Sequence, residues 1–159
     1  MKIRQMKIED IAIVQKIASL SYKDTYESLL PLEVQLDFLE LSYGTMRLQQ
    51  RMKSSEFYVA EIDGRIIGYI NFTKLDKLGN SELMAIYIVK TYHRQKVGTH
   101  LVKQVEKNFP DLKSITINME AGNEVGMKFI TALRFYCIEQ FIDDFQGVYL
   151  HMKRLKLFI

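Results

Sequence analysis

The sequence predicts an α+β protein with α/β-type crossovers, in which helices flank a mixed, mostly antiparallel twisted sheet. Two β-rich runs surround the pair Asp63-Gly64, and this arrangement is a strong hairpin signal. A continuous apolar run at 82–89 is followed by a helical pattern, which predicts a strand–loop–helix unit. The chain of 159 residues has the size of one domain, so 1–159 is expected to form a single domain.

The first half of the chain predicts one strand, three helices and the hairpin. Residues 1–6 alternate between apolar and polar side chains, as a strand does. Asp10 is placed to cap the first helix. Pro31 suits the first turn of a second helix, and Thr45 is the expected cap of a third. The hairpin follows at 57–75.

The second half predicts strands that alternate with helices. The run at 82–89 is apolar on both faces, so it is expected to be the most buried strand of the sheet. Val97, Leu101 and Val105 recur every four residues and predict a helix that ends at Pro110. The later pattern predicts a strand at 113–119, a helix at 123–133, and strands at 135–142 and 147–154.

Composition argues against several functional classes. The net charge of +3 comes from 22 Lys and Arg against 19 Asp and Glu, an excess too small to mark a nucleic-acid-binding face. No apolar run reaches the roughly eighteen residues of a membrane span, and charges occupy the N-terminus where a signal peptide is apolar. A cytoplasmic protein is expected. The only cysteine, Cys137, is expected to be a buried inert thiol, and no structural metal site is expected.

The loop after the central strand is the candidate for ligand binding. Gly98 lies where the strand gives way to a helix, and unpaired N–H groups at a helix start can bind phosphate. His93, Arg94 and Lys96 add positive charge to the same turn, which favours a polyanionic ligand such as a nucleotide or a coenzyme. An ordinary strand–helix turn with a solvated basic rim explains the same residues. These residues alone therefore leave both interpretations open.

Three segments resemble those of the GNAT family of N-acetyltransferases. One is ELMAIYIVKTYHRQKVGTHLV, similar to the family signature R/Q-x-x-G-x-G/A after a central strand. The second is NEVGMKFITALRF, similar to N-x-x-A-x-x-F-Y-x-x-x-G-F. The third is SYKDTYESLLPLE, similar to the W-x-x-T-Y-x-x-L-L-P segment of the branch that includes polyamine acetylases. The resemblance covers nearly the full chain and implies the acyl-CoA acyltransferase fold.

The resemblance also implies an activity, which is transfer of an acetyl group from acetyl-CoA to a primary amine in a ternary complex. The acceptor would be a small amine, a polyamine or a protein amino group. Backbone groups of 86–88 would bind the pantetheine arm, and the segment 94–99 would wrap the diphosphate. The implied cofactor-binding residues are Ile86, Tyr87, Ile88, His93, Arg94, Gln95, Lys96, Val97, Gly98, Thr99, Asn123 and Phe129.

Four positions depart from the family pattern. His93 takes the place of Arg or Gln, Lys96 takes that of the first glycine, and Arg134 replaces the glycine before the last aromatic residue, which is expected to alter the turn. Ile130 stands where the family carries a tyrosine that protonates the leaving thiolate. Because an aliphatic side chain cannot donate a proton, an inactive or weak acyl-CoA-binding domain is the main alternative.

Acetyl transfer needs a base for the amine, and Glu120 is the first candidate. It ends a predicted strand where two central strands would part around the thioester, while Glu82 is the second candidate. Tyr136 or Tyr149 is a candidate replacement for the missing proton donor. Surface carboxylates and ordinary core tyrosines are the alternative interpretations of these residues.

The acceptor pocket is expected at the early helices. Tyr22, Tyr26 and Glu27 lie within six residues, and aromatic rings next to acids suit a cationic amine. Asn118 lies two residues before Glu120, on the same side of the strand, where it could orient the amine. A solvated helix end with half-buried rings is the alternative.

The C-terminus and the basic loop leave two further expectations. The group Lys153, Arg154 and Lys156 is expected to be a solvated tail, and the apolar end 157–159 would either cover a partner in a homodimer or fold back on its own core. A nucleotide- or nucleic-acid-binding α/β protein is a third functional class. No G-x-G-x-x-G or G-x-x-x-x-G-K-[ST] motif supports it.

Overall fold

The computed structural model describes residues 1–159 and shows one seven-stranded sheet with helices on both faces. No helix is at once long enough and apolar enough to cross a bilayer. The strands are β1 (Lys2–Gln5), β2 (Ser55–Ile62), β3 (Arg65–Thr73), β4 (Asn80–Ile88), β5 (Ser114–Glu120), β6 (Tyr136–Phe145) and β7 (Val148–Phe158). The helices are α1 (Ile11–Tyr26), α2 (Leu32–Tyr43), α3 (Thr45–Ser54), α4 (Val97–Asn108) and α5 (Glu124–Ala132).

The predicted fold class is confirmed. The strand order is β1-β2-β3-β4-β5-β7-β6, and every neighbouring pair is antiparallel except β4 with β5. The helix α4 crosses between these two parallel strands, as the strand–loop–helix pattern predicted. Asp63 and Gly64 both have left-handed φ angles, 48° and 75°, which the predicted two-residue hairpin turn requires.

Two hydrophobic clusters lie on opposite faces of the sheet. On one face, Leu101 and Val105 of α4 and Ile130 of α5 pack against the strands, and we call this the α4 face. On the other, Val14 of α1 and Leu48 of α3 pack against β2 and β3, and we call this the α1 face. Each helix therefore buries one apolar stripe against the sheet, as an amphipathic helix does.

The most buried strand is β3, so the assignment of that place to 82–89 is wrong. All residues from Ile67 to Phe72 are buried, whereas β4 alternates between buried and exposed residues and is only half-buried from Ile86 onward. The apolar composition of β4 predicted a strand with neighbours on both sides. In the structure, the second half of β4 has no paired strand on the β5 side.

Two expectations about the last hairpin are wrong. Cys137 is exposed, because β6 is the edge strand of the sheet. Lys153, Arg154 and Lys156 do not form a loose tail, because β7 runs to Phe158 and is paired with β5 on one side and β6 on the other. Leu157 packs against the α4-face core, while Phe158 and Ile159 stay exposed.

Asp10 precedes α1, as predicted, but its side chain does not cap that helix. Its carboxylate accepts a hydrogen bond from the Lys7 N–H at 2.8 Å and pairs with the Arg4 guanidinium at 2.7 Å. The Arg4 hydrogen bond holds the pKa of Asp10 below its usual range. Arg4 also reaches Glu61 at 3.0 Å, so the three side chains tie the start of α1 to β1 and β2.

Arg134 does not abolish the turn that the family's glycine makes. The Phe135 N–H donates to Ile130 O and the Arg134 N–H donates to Thr131 O, which is the hydrogen-bond pattern of a Schellman C-cap. Arg134 itself has a φ of 69°, in the left-handed region that favours glycine. The turn is therefore retained, with an arginine in a backbone conformation that is unfavourable for it.

Replacement of Arg134 by glycine should therefore stabilise the protein. Arg134 is exposed, and the left-handed conformation costs an L-residue about 1–2 kcal/mol, of which glycine's greater unfolded-state entropy offsets part. We expect Arg134→Gly to raise the free energy of unfolding by about 0.5–1 kcal/mol in urea denaturation. Arg134→Ala keeps the strain and serves as the control, so an equal gain in that variant would contradict this explanation.

Candidate functional site

The site begins where β4 and β5 part. Their parallel pairing covers only Asn80–Glu82 with Ser114–Thr116, and no later residue of either strand is paired with the other. On its other side, β4 has a bulge, because Asn71 of β3 pairs with Ala85 and Phe72 pairs with Leu83, which leaves Met84 unpaired. We call the gap between residues 83–88 and 117–120 the splay.

Main-chain groups line both edges of the splay. The Val89 N–H donates to Ile67 O of β3, and successive residues of a strand point their main chain to opposite sides. The main-chain groups of Ile86 and Ile88 therefore face the splay, whereas those of Tyr87 face β3. By the same reasoning, the Ala121 N–H bonds to β7, so Glu120 and Asn118 present their main chain to the splay.

The loop before α4 carries a run of unpaired amides. None of the six successive N–H groups from Arg94 to Thr99 donates a hydrogen bond to a protein acceptor. Arg94 and Lys96 have left-handed φ angles of 63° and 61°, and alternation of this kind turns successive N–H groups toward a common centre. The positive end of the α4 dipole lies at the same place, so the loop is a cradle for an anion.

His93 closes the end of the splay next to this cradle. Its Nε2 lies 2.9 Å from Ile88 O, and a carbonyl oxygen can only accept, so the imidazole donates. One of the main-chain acceptors on the β4 edge is thus already used. In this structure His93 holds the loop onto β4, and the side chains of Arg94 and Lys96 remain exposed at the rim of the cradle.

The absence of a side chain at Gly98 leaves space for a neighbouring aromatic ring. A Cβ atom there would lie 2.6 Å from Cζ of Phe129, closer than real Cβ contacts come. The missing side chain therefore makes room for the Phe129 ring on the first turn of α4. This contact joins α5 to the cradle. Because the Phe129 ring fills this space, position 98 must carry a residue without a side chain.

Asn123 caps α5. Its Oδ1 accepts a hydrogen bond from the Gly126 N–H at 2.9 Å, which is the N-cap arrangement that asparagine favours. A Cβ at position 126 would lie 2.5 Å from Asn123 Nδ2, so the glycine leaves space for this side chain. The Nδ2 group has no protein acceptor and is the part of Asn123 that could contact a ligand.

Glu120 is buried at the open end of the splay. The residue is 6% exposed, and its Oε2 is buried without any hydrogen-bond partner. The side chain lies on the α1 face, because Glu120 is opposite Met152 in the β5–β7 register and Met152 packs with the α1 and α2 residues. A buried carboxylate oxygen without a donor costs about 1–3 kcal/mol, and a cationic ligand would relieve that cost.

Tyr26 lies near Glu120, and two further tyrosines lie on the same face of the sheet. The Tyr22 and Tyr26 rings of α1 lie 4.5 Å apart, and Tyr87 of β4 is on the same face. Burial raises the pKa of Tyr26, and the Glu120 carboxylate raises it further. Burial likewise raises the pKa of Tyr87, and the nearby phenols of Tyr43, Tyr26 and Tyr22 raise it further. Tyr26 therefore lies within electrostatic reach of both edges of the splay.

The other two predicted acceptor-binding residues, Glu27 and Asn118, are both exposed. Glu27 follows the last residue of α1 and is exposed. Asn118 is exposed on the α1 face, and its Oδ1 accepts a hydrogen bond from Arg154 Nε at 3.0 Å. Glu82, the second candidate base, is exposed at the closed end of the splay, where it is the last residue of β4 that pairs with β5.

Tyr136 does not come together with Glu120. It lies on the edge strand β6, opposite Lys156 of β7, which is opposite Thr116 of β5. Two strand spacings, about 10 Å, thus separate it from β5, and its ring stacks on Phe158. Tyr149 is near the β6–β7 turn and exposed. Neither tyrosine lies beside the splay, and the role of Tyr136 as proton donor stays a prediction.

The structure also explains what sequence reasoning missed at the site. The Tyr87 ring lies on the same face as Tyr22 and Tyr26, although the resemblance implied only its main chain. The signal was present in the alternation of β4, which puts Ala85 and Tyr87 on the α1 face. Ile130, in place of the family's tyrosine, is 0% exposed in the α4-face core.

Comparisons with known proteins agree with this geometry. The sequence model described as "Acetyltransferase (GNAT) family" matches residues 16–136. An uncharacterized N-acetyltransferase from Methanocaldococcus jannaschii is 28% identical over 81% of this chain and 74% of its own length. A spermidine N(1)-acetyltransferase from Thermoplasma acidophilum is 26% identical over 80% of this chain and 83% of its own.

A solved structure has the same fold. The PaiA N-acetyltransferase from Thermoplasma acidophilum, in complex with coenzyme A, superposes with a TM-score of 0.80 at 21% identity. The superposition covers 99% of this chain and 98% of that one. The likeness therefore extends over the entire sheet and both helical layers.

The contact between Gly98 and Phe129 yields a stability prediction. Gly98→Ala should destabilise the protein by about 1–3 kcal/mol in urea unfolding, because the added methyl group overpacks against the ring. In a Phe129→Leu background the same change should cost less than half as much. Thr99→Ala, in the same helical turn, adds no atoms and is the control. Equal costs in both backgrounds would show that Phe129 is not what Gly98 accommodates.

Proposed function

Because the protein belongs to the Acetyltransferase (GNAT) family, for which acetyl-CoA is the cosubstrate, we propose that it moves an acetyl group from acetyl-CoA directly to a primary amine. The acceptor is a small amine, a polyamine or a protein amino group. The observation that carries this proposal is the splay, which has free main-chain groups on both edges and an anion cradle at one end.

The residues present fit the coenzyme. Six unpaired amides and the side chains of Arg94 and Lys96 are suited to the diphosphate. The main-chain groups of Ile86 are suited to the amides of the pantetheine arm. The Phe129 ring lies against the start of α4, and the Asn123 Nδ2 donor lies at the N-terminus of α5, and we assign both as further contact groups for the coenzyme.

The thioester supplies an activated acetyl group, and the reaction exchanges its C–S bond for a C–N bond. An acceptor that arrives as an ammonium ion loses two protons. A base takes the first and passes it to solvent, and the second leaves the nitrogen as the amide forms and is balanced by the proton that the thiolate gains. Orientation of the two reactants supplies up to about 7–11 kcal/mol in the best cases. A thiolate leaves readily, since a thiol has a pKa of about 8.5. The base for the amine is the more demanding requirement.

Glu120 meets this requirement best. Its buried, unpartnered Oε2 attracts the ammonium form of the acceptor and can then take its proton. The phenol rings of Tyr22, Tyr26 and Tyr87 form the wall that faces the cation. All these groups are on the α1 face, so we place the amine there and the coenzyme's diphosphate at the N-terminus of α4.

A second candidate function is a weak or inactive acyl-CoA-binding domain. The observation that favours it is Ile130, which is fully buried and offers no proton donor on the α4 face. Thiol release measured with a panel of amines separates the two functions. Tight binding of acetyl-CoA without turnover of any amine would favour the binding domain.

Calorimetric titration with acetyl-CoA tests the cradle. We expect the wild-type protein to bind and an Arg94→Ala/Lys96→Ala double variant to bind roughly tenfold more weakly, a loss of ~1.4 kcal/mol, because two cations leave the rim of the cradle. The matched control is Lys103→Ala/Lys107→Ala, which removes the same charge from exposed positions farther along α4. No binding heat at millimolar ligand would overturn the proposal.

Replacement of Glu120 tests the base. Glu120→Gln should lower kcat by about 10²–10⁴, because glutamine cannot accept the proton. Acetyl-CoA affinity should stay unchanged, since Glu120 is on the other face of the sheet. Rates are measured by thiol release.

Glu82→Gln is the matched control, because it removes a carboxylate from β4 on the same face at the closed end of the splay. It should keep most of the activity. If Glu82→Gln were the inactive variant and Glu120→Gln the active one, the base would be Glu82 and not Glu120.

A further inference from the structure

The proposed reaction does not explain why residue 122, in the turn after β5, is a glycine. It is the third residue of a turn that links β5 to α5, in which the Asn123 N–H donates to Glu120 O at 3.1 Å. Its φ angle is not in the left-handed region, so an alanine could adopt the same backbone. Conformational freedom is therefore not the reason for a glycine at this position.

The surroundings of Gly122 indicate a different reason. A Cβ atom there would lie 2.9 Å from Oε2, 3.1 Å from Oε1 and 3.3 Å from Cδ of Glu120. All three of its nearest neighbours belong to the same carboxylate. The Glu120 side chain thus folds back over its own turn, into the space that a side chain at 122 would occupy.

No hydrogen bond fixes the buried end of this carboxylate. Oε2 has no partner, so its position depends on packing alone. The Gly122 backbone bounds it on one side, and the phenol of Tyr26 is close enough for the charge of Glu120 to raise its pKa. A methyl group at 122 would need more than 3.4 Å and would push the carboxylate out of this position.

We propose that Gly122 is a positioning residue for acetyl transfer, because its missing side chain lets the Glu120 carboxylate fold back over the turn to the place where it meets the amine. This inference rests on the proposed function, in which Glu120 is the base. Gly122 itself touches neither substrate. A displacement of a reacting group by about 1 Å can cost a factor of about 10² in rate.

The test is Gly122→Ala, alone and combined with Glu120→Gln. The single variant should fold with an unchanged or slightly raised Tm and bind acetyl-CoA as the wild type does. Its kcat should fall about 10- to 100-fold while its affinity for acetyl-CoA does not change. Ala121→Gly, in the same turn, alters backbone freedom without adding an atom and serves as the control.

The combined variant separates positioning from other effects. In the Glu120→Gln background, Gly122→Ala should cause no further loss, because the group that it displaces no longer acts. The same 10- to 100-fold loss in that background, or wild-type rates in the single variant, would overturn the role of Gly122. Wild-type rates in Glu120→Gln alone would instead overturn Glu120 as the base, which is a failure of the proposed function.

Discussion

The interrupted pairing of β4 and β5 is the constraint on which the remaining structure depends. Two adjacent parallel strands that pair for three residues and then separate leave main-chain donors and acceptors without partners. Such groups are costly to bury, so a gap of this kind persists only where water or a ligand satisfies them. The coenzyme's pantetheine arm, with its own amides, is chemically suited to take the place of the missing strand neighbour.

The fold could be predicted from the sequence because its local signals agree. Asp63-Gly64 marks the hairpin, and the repeat of Val97, Leu101 and Val105 marks α4. Burial was predicted less well, since hydrophobic content does not reveal a missing neighbour. The side chains of β4 pack against the cores on both faces, but its second half is only half-buried because β5 is no longer paired with it there. Cys137 was misjudged for a related reason, since sequence alone did not show that β6 is the edge strand.

The site was predictable only where its residues are close in sequence. The amides of 94–99 and the base candidate Glu120 follow from strand ends and a helix start. The pairing of Gly98 with Phe129 and the approach of Tyr26 to Glu120 join residues far apart in the chain, and only the folded structure brings them together. Tyr136 lies away from the splay because the order β5-β7-β6 puts the first strand of the last hairpin outermost.

In the proposed reaction, the division of the site between the two faces gives Ile130 and Glu120 unequal importance. A protonated amine has a pKa near 10, so at neutral pH nearly every acceptor molecule must lose a proton before its nitrogen can react. A thiolate, in contrast, is a stable leaving group close to neutral pH and needs no acid beside it. Chemistry therefore demands a base on the α1 face more than an acid on the α4 face. This chain has a buried carboxylate, Glu120, at the splay and a core residue, Ile130, at the position of the acid. That arrangement is consistent with this demand.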